Sequence, residues 1–253
     1  TLPLKQSCVK IMAVRISLIK SIALVSISSL FFGVVKAASF KWDIADSGVL
    51  RIVTEGSNQG LISGTGILVN KKGYVITNYH VVGSYIENPT NNSYVLDGGR
   101  GKQYRKRYQL KWYSREYDIA IIKVEGLDTK RFPLAFANSE SRYVNKGIEV
   151  FSLGFPGASD VGGIQLEPVL KNGIISVRRR FSLRKGAKPI RMFEHNATIN
   201  SGNSGSPLLD SCGRVIGMNQ SKARSKLVST QSRINIAEGT FWSIRSNVLM
   251  LAL

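Results

Sequence analysis

Short apolar runs separated by turn residues recur along the whole chain. Runs at 48–54, 60–69, 74–77 and 119–124 form a first series, and runs at 147–154, 169–177, 213–219 and 241–244 a second. Turn chemistry separates them: Asn70-Lys71-Lys72-Gly73 reads as a hairpin turn and Phe155-Pro156-Gly157 as a second turn. Helical periodicity is scarce, with one start near Asn247. Short strands at regular spacing predict an all-β sandwich or a pair of barrels. Gly60, Gly64 and Gly66 predict a bend or bulge in the second run. A linker at about 137–146 divides an N-terminal β-domain, 38–140, from a C-terminal β-domain, 141–253.

The first 37 residues do not fit this pattern. From Met12 onward, Arg15 and Lys20 precede an apolar run at 21–35, and Val35-Lys36-Ala37 then places small residues where signal peptidase reads. This predicts a secretory signal peptide, cut after Ala37 or Ala38. The run is short for a spanning helix, which needs about 20 apolar residues. No later run reaches that length, so the processed chain is expected to be exported, periplasmic or secreted, without a membrane span.

Composition adds two constraints. At 43% hydrophobic over 253 residues the chain can bury a core, which argues against global disorder. Its formal net charge is +19, and residues 1–37 hold five basic and no acidic side chains, so about +14 remains after processing. Such a charge attracts anionic surfaces, acidic substrates or nucleic acid, and also favours solubility. The only cysteines are Cys8 and Cys212, so Cys212 is expected as a lone thiol after processing. No His/Cys cluster has metal-ligand spacing, and neither a metal nor a cofactor is expected.

Three stretches carry candidate chemistry. Asn200-Ser201-Gly202-Asn203-Ser204-Gly205-Ser206-Pro207 surrounds a serine with small residues before an apolar strand. Such a loop can turn backbone N–H groups toward one spot beside a hydroxyl, an oxyanion hole next to a nucleophile. It also reads as an ordinary Gly/Ser turn. His80 follows the strand at 74–77, and a lone histidine is often structural. Asp118 opens the apolar strand 119–124, where a carboxylate needs a partner. It either caps a turn or orients a histidine. The order His80, Asp118, Ser204 is that of the chymotrypsin triad.

The motifs Thr77-Asn78-Tyr79-His80-Val81-Val82, Tyr117-Asp118-Ile119-Ala120-Ile121 and Gly202-Asn203-Ser204-Gly205-Ser206-Pro207 resemble the HtrA/Deg-type, trypsin-like serine proteases. Lys171-Asn172-Gly173-Ile174-Ile175-Ser176 and Gly213-Arg214-Val215-Ile216-Gly217-Met218-Asn219 are similar to the same family's intervening strands. The resemblance implies two six-stranded antiparallel β-barrels with the site in the cleft between them. It implies Ser204 as nucleophile, His80 as general base and acid, Asp118 as its orienting carboxylate, and the N–H groups of Gly202 and Ser204 as the oxyanion hole. Family members often carry a PDZ domain after the protease, and none begins before Leu253. Ser206, in place of a second glycine, resembles the glutamyl endopeptidase branch equally well.

By the same resemblance Thr198 lies near the base of the primary specificity pocket. Asn219, Gln220, Ser221, Phe241 and Trp242 form its walls. No acid stands at Thr198, and Phe241 makes the pocket shallow, which favours small aliphatic residues. His195 is expected either as a loop histidine in solvent or as a group that helps bind an acidic side chain. The expected function is an exported serine endopeptidase acting on protein or peptide substrates. The alternative is a catalytically silent protease-fold protein that binds anionic partners. In either case the basic hairpin 178–191 offers a surface for an anionic partner.

Overall fold

Alternating apolar residues build two curved sheets, one from each half of the chain. The computed structural model describes residues 40–55, 61–87, 93–98, 104–157, 166–183, 186–220 and 239–253. The stretch expected as a signal peptide and Ser221 lie outside the described residues, as do Arg184 and Lys185 of the basic hairpin. Residues from Lys41 to Leu253 form one compact unit. None of the described helices is long and apolar enough to cross a membrane.

The first sheet contains β1 (Val49–Glu55), β2 (Leu61–Leu68), β3 (Tyr74–Thr77), β4 (Tyr94–Leu96), β5 (Arg105–Lys106), β6 (Tyr108–Ser114) and β7 (Ile119–Val124). Its order is β5-β4-β1-β2-β3-β7-β6, seven strands where six were expected. The extra strand has a simple origin. β5 and β6 are separated by Arg107 alone, yet they occupy opposite ends of the ladder. The two ends are therefore covalently joined, and the sheet has to roll up. Taken as one bent strand, 105–114 leaves six around the ring.

The second sheet is a closed six-stranded barrel in the order β10-β13-β12-β11-β8-β9. Its strands are β8 (Glu149–Gly154), β9 (Val169–Phe181), β10 (Ile190–His195), β11 (Pro207–Leu209), β12 (Val215–Gln220) and β13 (Phe241–Arg245). Closure removes the exposed edges that an open sheet presents. The basic hairpin is the β9–β10 turn with the strand ends on either side.

Each sheet has its own core. Leu50, Ile52, Leu68, Val75, Val95, Ala120 and Ile122 fill the first. Val150, Ile175, Phe193, Leu208 and Ile216 fill the second. The described residues also form three short helices, α1 (Trp42–Asp46), α2 (Tyr79–Glu87) and α3 (Ser246–Leu249). Trp42 of α1 packs on Phe151 of β8, ring centroids 4.4 Å apart. The expectation for Cys212 turns on Cys8, which lies outside the described residues.

Candidate active site

β3 and β7 are antiparallel neighbours, with Thr77 opposite Ala120. The chain leaves β3 through Asn78 and enters β7 from Asp118. His80 and Asp118 therefore start from adjacent strand ends, although 38 positions separate them. The Asn78 Nδ2 group donates to the Asp118 carbonyl at 3.1 Å and ties the two ends together. α2 begins at once and carries His80 on its first turn. It can lie close to β2 because Gly64 has no side chain: a Cβ there would sit 2.4 Å from Val81.

Asp118 has a φ of 51°, in the left-handed region. That conformation costs a non-glycine residue on the order of 1 kcal/mol, less for Asp than for most. The turn aims the carboxylate back at α2. Oδ1 accepts the His80 backbone N–H at 2.8 Å, and Oδ2 accepts from His80 Nδ1 at 2.6 Å. Backbone N–H groups in a helix's first turn lack intrahelical partners. Asp118 thus supplies a missing acceptor to α2 and engages the imidazole with its other oxygen. Among the described residues these contacts go to α2 and not to the turn before Asp118, the alternative that the sequence offers.

Ser204 arrives from the other sheet, on the loop between β10 and β11. Its Oγ lies 2.8 Å from His80 Nε2. Because Nδ1 donates to Asp118, Nε2 is left bare and accepts the hydroxyl proton. His80 and Asp118 keep 13% and 14% side-chain exposure, and Ser204 is 3% exposed. Gly202 has a φ of 96°, and a Cβ there would lie 2.3 Å from the Phe155 carbonyl oxygen. Only glycine fits on both counts.

Thr65 of β2 fastens this loop to the first sheet. Its N–H donates to the Ser204 carbonyl at 2.8 Å, and its Oγ1 donates to the Gly202 carbonyl at 2.9 Å. Nothing in the sequence around Thr65 signals this, because its partner lies 137 positions away. Gln220 is the second residue whose part the sequence does not reveal. Its Nε2 donates to Asp118 Oδ2 at 2.6 Å, the same oxygen that takes His80 Nδ1–H.

A separate buried network lies behind the loop. Asn219, fully buried, donates from Nδ2 to Ser206 Oγ at 2.8 Å and to Ser152 Oγ at 2.9 Å. Its Oδ1 accepts from Ser243 Oγ at 2.6 Å, and Ser243 in turn meets His195 Nε2 at 2.8 Å. Ser243 has a single proton, already given to Asn219, so His195 Nε2 is the donor in that contact. Burial pushes the His195 pKa down to about 4. His195 is therefore neutral at pH 7 and offers no positive charge to an acidic substrate side chain. Ser206 belongs to this network, where its hydroxyl accepts from Asn219.

The loop that carries Ser204 also borders a small cleft, lined by Ile199, Asn200, Ser201, Gln220, Thr240, Phe241 and Trp242. Gln220 and Phe241 are part of this lining. Thr198 is exposed and does not line it, and Ile199 takes the place expected for Thr198. Asn219 is turned inward to its network. The lining carries no charged side chain.

The chain belongs to the trypsin-like peptidase domain family, whose model matches residues 64–218. Within that family its relatives are proteases of the HtrA/Deg type. It is similar to Protease Do-like 1, chloroplastic, of Arabidopsis thaliana, with 30% identity over 161 residues, 62% of this chain and 32% of that protein. It is similar to Protease Do-like 5, chloroplastic, of the same plant, with 29% identity over 192 residues, 74% of this chain and 56% of that protein. The chain thus spans between 32% and 56% of the length of these two curated relatives. Among solved structures, the HtrA-type protease AlgW with tripeptide superposes with a TM-score of 0.61 at 21% identity, over 83% of this chain and 62% of that one. That likeness concerns the fold alone.

Proposed function

We propose that this chain is a serine endopeptidase, exported by its N-terminal signal and acting on protein or peptide substrates. The observation that carries the reading is the unbroken line from Asp118 through His80 to Ser204, with contacts of 2.6 and 2.8 Å. In the first half-reaction Ser204 Oγ bonds to the peptide carbonyl carbon and its proton passes to His80 Nε2. Asp118 stabilises the imidazolium. The N–H groups of Gly202 and Ser204 receive the oxyanion. The C–N bond then breaks as His80 protonates the leaving amine. Water, deprotonated by His80, attacks the resulting ester, and Ser204 recovers its proton as the acid product leaves.

AlgW has been seen with a tripeptide, and a peptide segment is the substrate proposed here. The uncharged cleft suits an uncharged side chain before the scissile bond, and Phe241 and Trp242 restrict it to a small aliphatic one. The basic β9–β10 hairpin attracts an anionic partner.

Fluorophosphonate labelling and casein digestion test the activity. The parent labels and digests, and Ser204→Ala does neither. Digestion by a pure Ser204→Ala sample at the parent's rate would overturn the assignment. In a peptide library, dominant cleavage after Glu would overturn the aliphatic pocket. N-terminal sequencing of the exported protein is expected to begin at Ala38 or Ser39, and an unprocessed terminus would overturn export by cleavage.

A further inference from the structure

One end of the closed barrel carries more positive charge than it neutralises. Glu140 meets three guanidinium groups at once. Arg178 lies 3.0 Å from its carboxylate, Arg245 2.9 Å and Arg191 3.3 Å. One carboxylate against three guanidinium groups leaves two positive charges in excess. Arg180, exposed, stands directly opposite Arg191 in the β9–β10 ladder and so on the same face. Like charges placed opposite each other weaken a sheet.

Arg245 cannot relieve this surplus by swinging out. It is 4% exposed, donates to the Ser139 carbonyl at 2.6 Å and lies 4.9 Å over the Phe193 ring. Its pKa is lowered, by burial first and then by Arg178. Arg178 and Arg191 keep 28% and 48% exposure, so their forks remain reachable from outside.

We propose that Arg178, Arg180 and Arg191 bind a doubly charged tetrahedral oxyanion, a phosphate or sulfate group, beside Glu140. This rests on the anionic-partner reading of the hairpin and names its chemistry and seat. A guanidinium fork matches two oxygens of such a group at once. Glu140 draws Arg178 and Arg191 to one place, and the oxyanion supplies the charge that Glu140 alone cannot. Arg179, between Arg178 and Arg180, points to the opposite face and pairs with Glu194 at 3.1 Å. It has the same charge and lies outside the site, which makes it a matched control.

The experiment is thermal denaturation of the full chain titrated with sodium phosphate, against sodium chloride at equal ionic strength. A parallel arm measures binding of dextran sulfate. Phosphate is expected to raise Tm beyond chloride. Arg191→Gln should weaken its apparent affinity about tenfold, as for loss of a charge-assisted fork. Arg179→Gln should leave that affinity unchanged, and Glu140→Gln should tighten it, an increase that a damaged fold would not produce. An Arg191-specific loss with phosphate identifies a free anion, and one seen only with dextran sulfate identifies a polymer-borne group. Equal losses in Arg191→Gln and Arg179→Gln would overturn the site and leave the broader attraction standing. No response to either anion beyond chloride would overturn both.

Discussion

The chain has two histidines, and both place Nε2 at 2.8 Å from a serine hydroxyl. Around that shared contact the two regions differ in every other respect. His80 has a carboxylate on Nδ1 and stands at a cleft. His195 is fully buried and has no carboxylate partner among the described residues, and its serine has already given its proton to Asn219. A His–Ser distance therefore says little about reactivity. What separates a base from a structural donor is the group on the far nitrogen, since it decides which nitrogen is bare. In the first region the proton can move from serine to histidine. In the second, histidine donates to serine, and the serine's own proton points away.

The sharpest break of this comparison is to delete each serine in turn. Ser204→Ala should lower kcat by about 10⁶-fold with folding intact, the loss typical when a triad nucleophile is removed. Ser243→Ala should leave activity within roughly tenfold of the parent, while costing about 2 kcal/mol of stability because His195 and Asn219 lose a buried partner. Casein turnover and denaturant unfolding on the same samples read both. Equal losses of activity would erase the distinction.

The far nitrogen comes next. Asp118→Asn keeps the shape but puts an amide where His80 Nδ1–H donates. The amide favours the wrong tautomer, and kcat should fall about 10⁴-fold. Near-parental turnover at neutral pH would show that Asp118 only holds α2.

For His195 the relevant quantity is stability. Its folded pKa is about 4 against 6.5 for the free side chain. The folded state holds it neutral, so between these values the unfolded chain binds more protons. Its contribution is complete above pH 6.5 and is lost as pH falls toward 4. The linkage amounts to about 3 kcal/mol. His195→Gln, which can still donate to Ser243, should flatten the pH dependence of unfolding over that window. An unchanged slope would mean that His195 titrates normally.

The two regions were not equally legible in the sequence. The loop at Ser204 announces itself, because glycines and small residues must be local to let a backbone turn around a hydroxyl. His80 and Asp118 are visible because each sits at the end of a strong apolar run, and strand ends are where side chains reach a cleft. Thr65 and Gln220 were hidden in their present parts. Their partners lie 137 and 102 positions away, and each depends on how two sheets face one another. Thr198 was misplaced by one position relative to Ile199, which reverses side in a strand-like segment. The basic run Arg105-Lys106-Arg107 reads in the sequence as a solvated edge strand with outward charges, but its continuation to Ser114 along β7 depends on partners far away in the chain.

The mildest prediction concerns Gln220, which touches both the cleft and Asp118. Its Nε2 shares Asp118 Oδ2 with the imidazole, so it draws on the same negative charge and fixes the carboxylate's rotation. Gln220→Leu keeps most of the volume and removes only the donor. If Gln220 acts through Asp118, kcat should fall about tenfold while KM stays within about twofold, since a lost hydrogen bond to a charged group is of that size. The carboxylate, with one donor fewer, should hold the imidazolium more strongly and move the acid limb of the kcat profile upward. Gln220→Glu should move that limb further, because it adds a second negative charge. If Gln220 is only a wall of the cleft, Leu should instead change KM and side-chain preference and leave the limb where it was. The split between kcat and KM, taken with the limb, therefore decides whether the line that ends at Asp118 continues across the cleft into the second barrel.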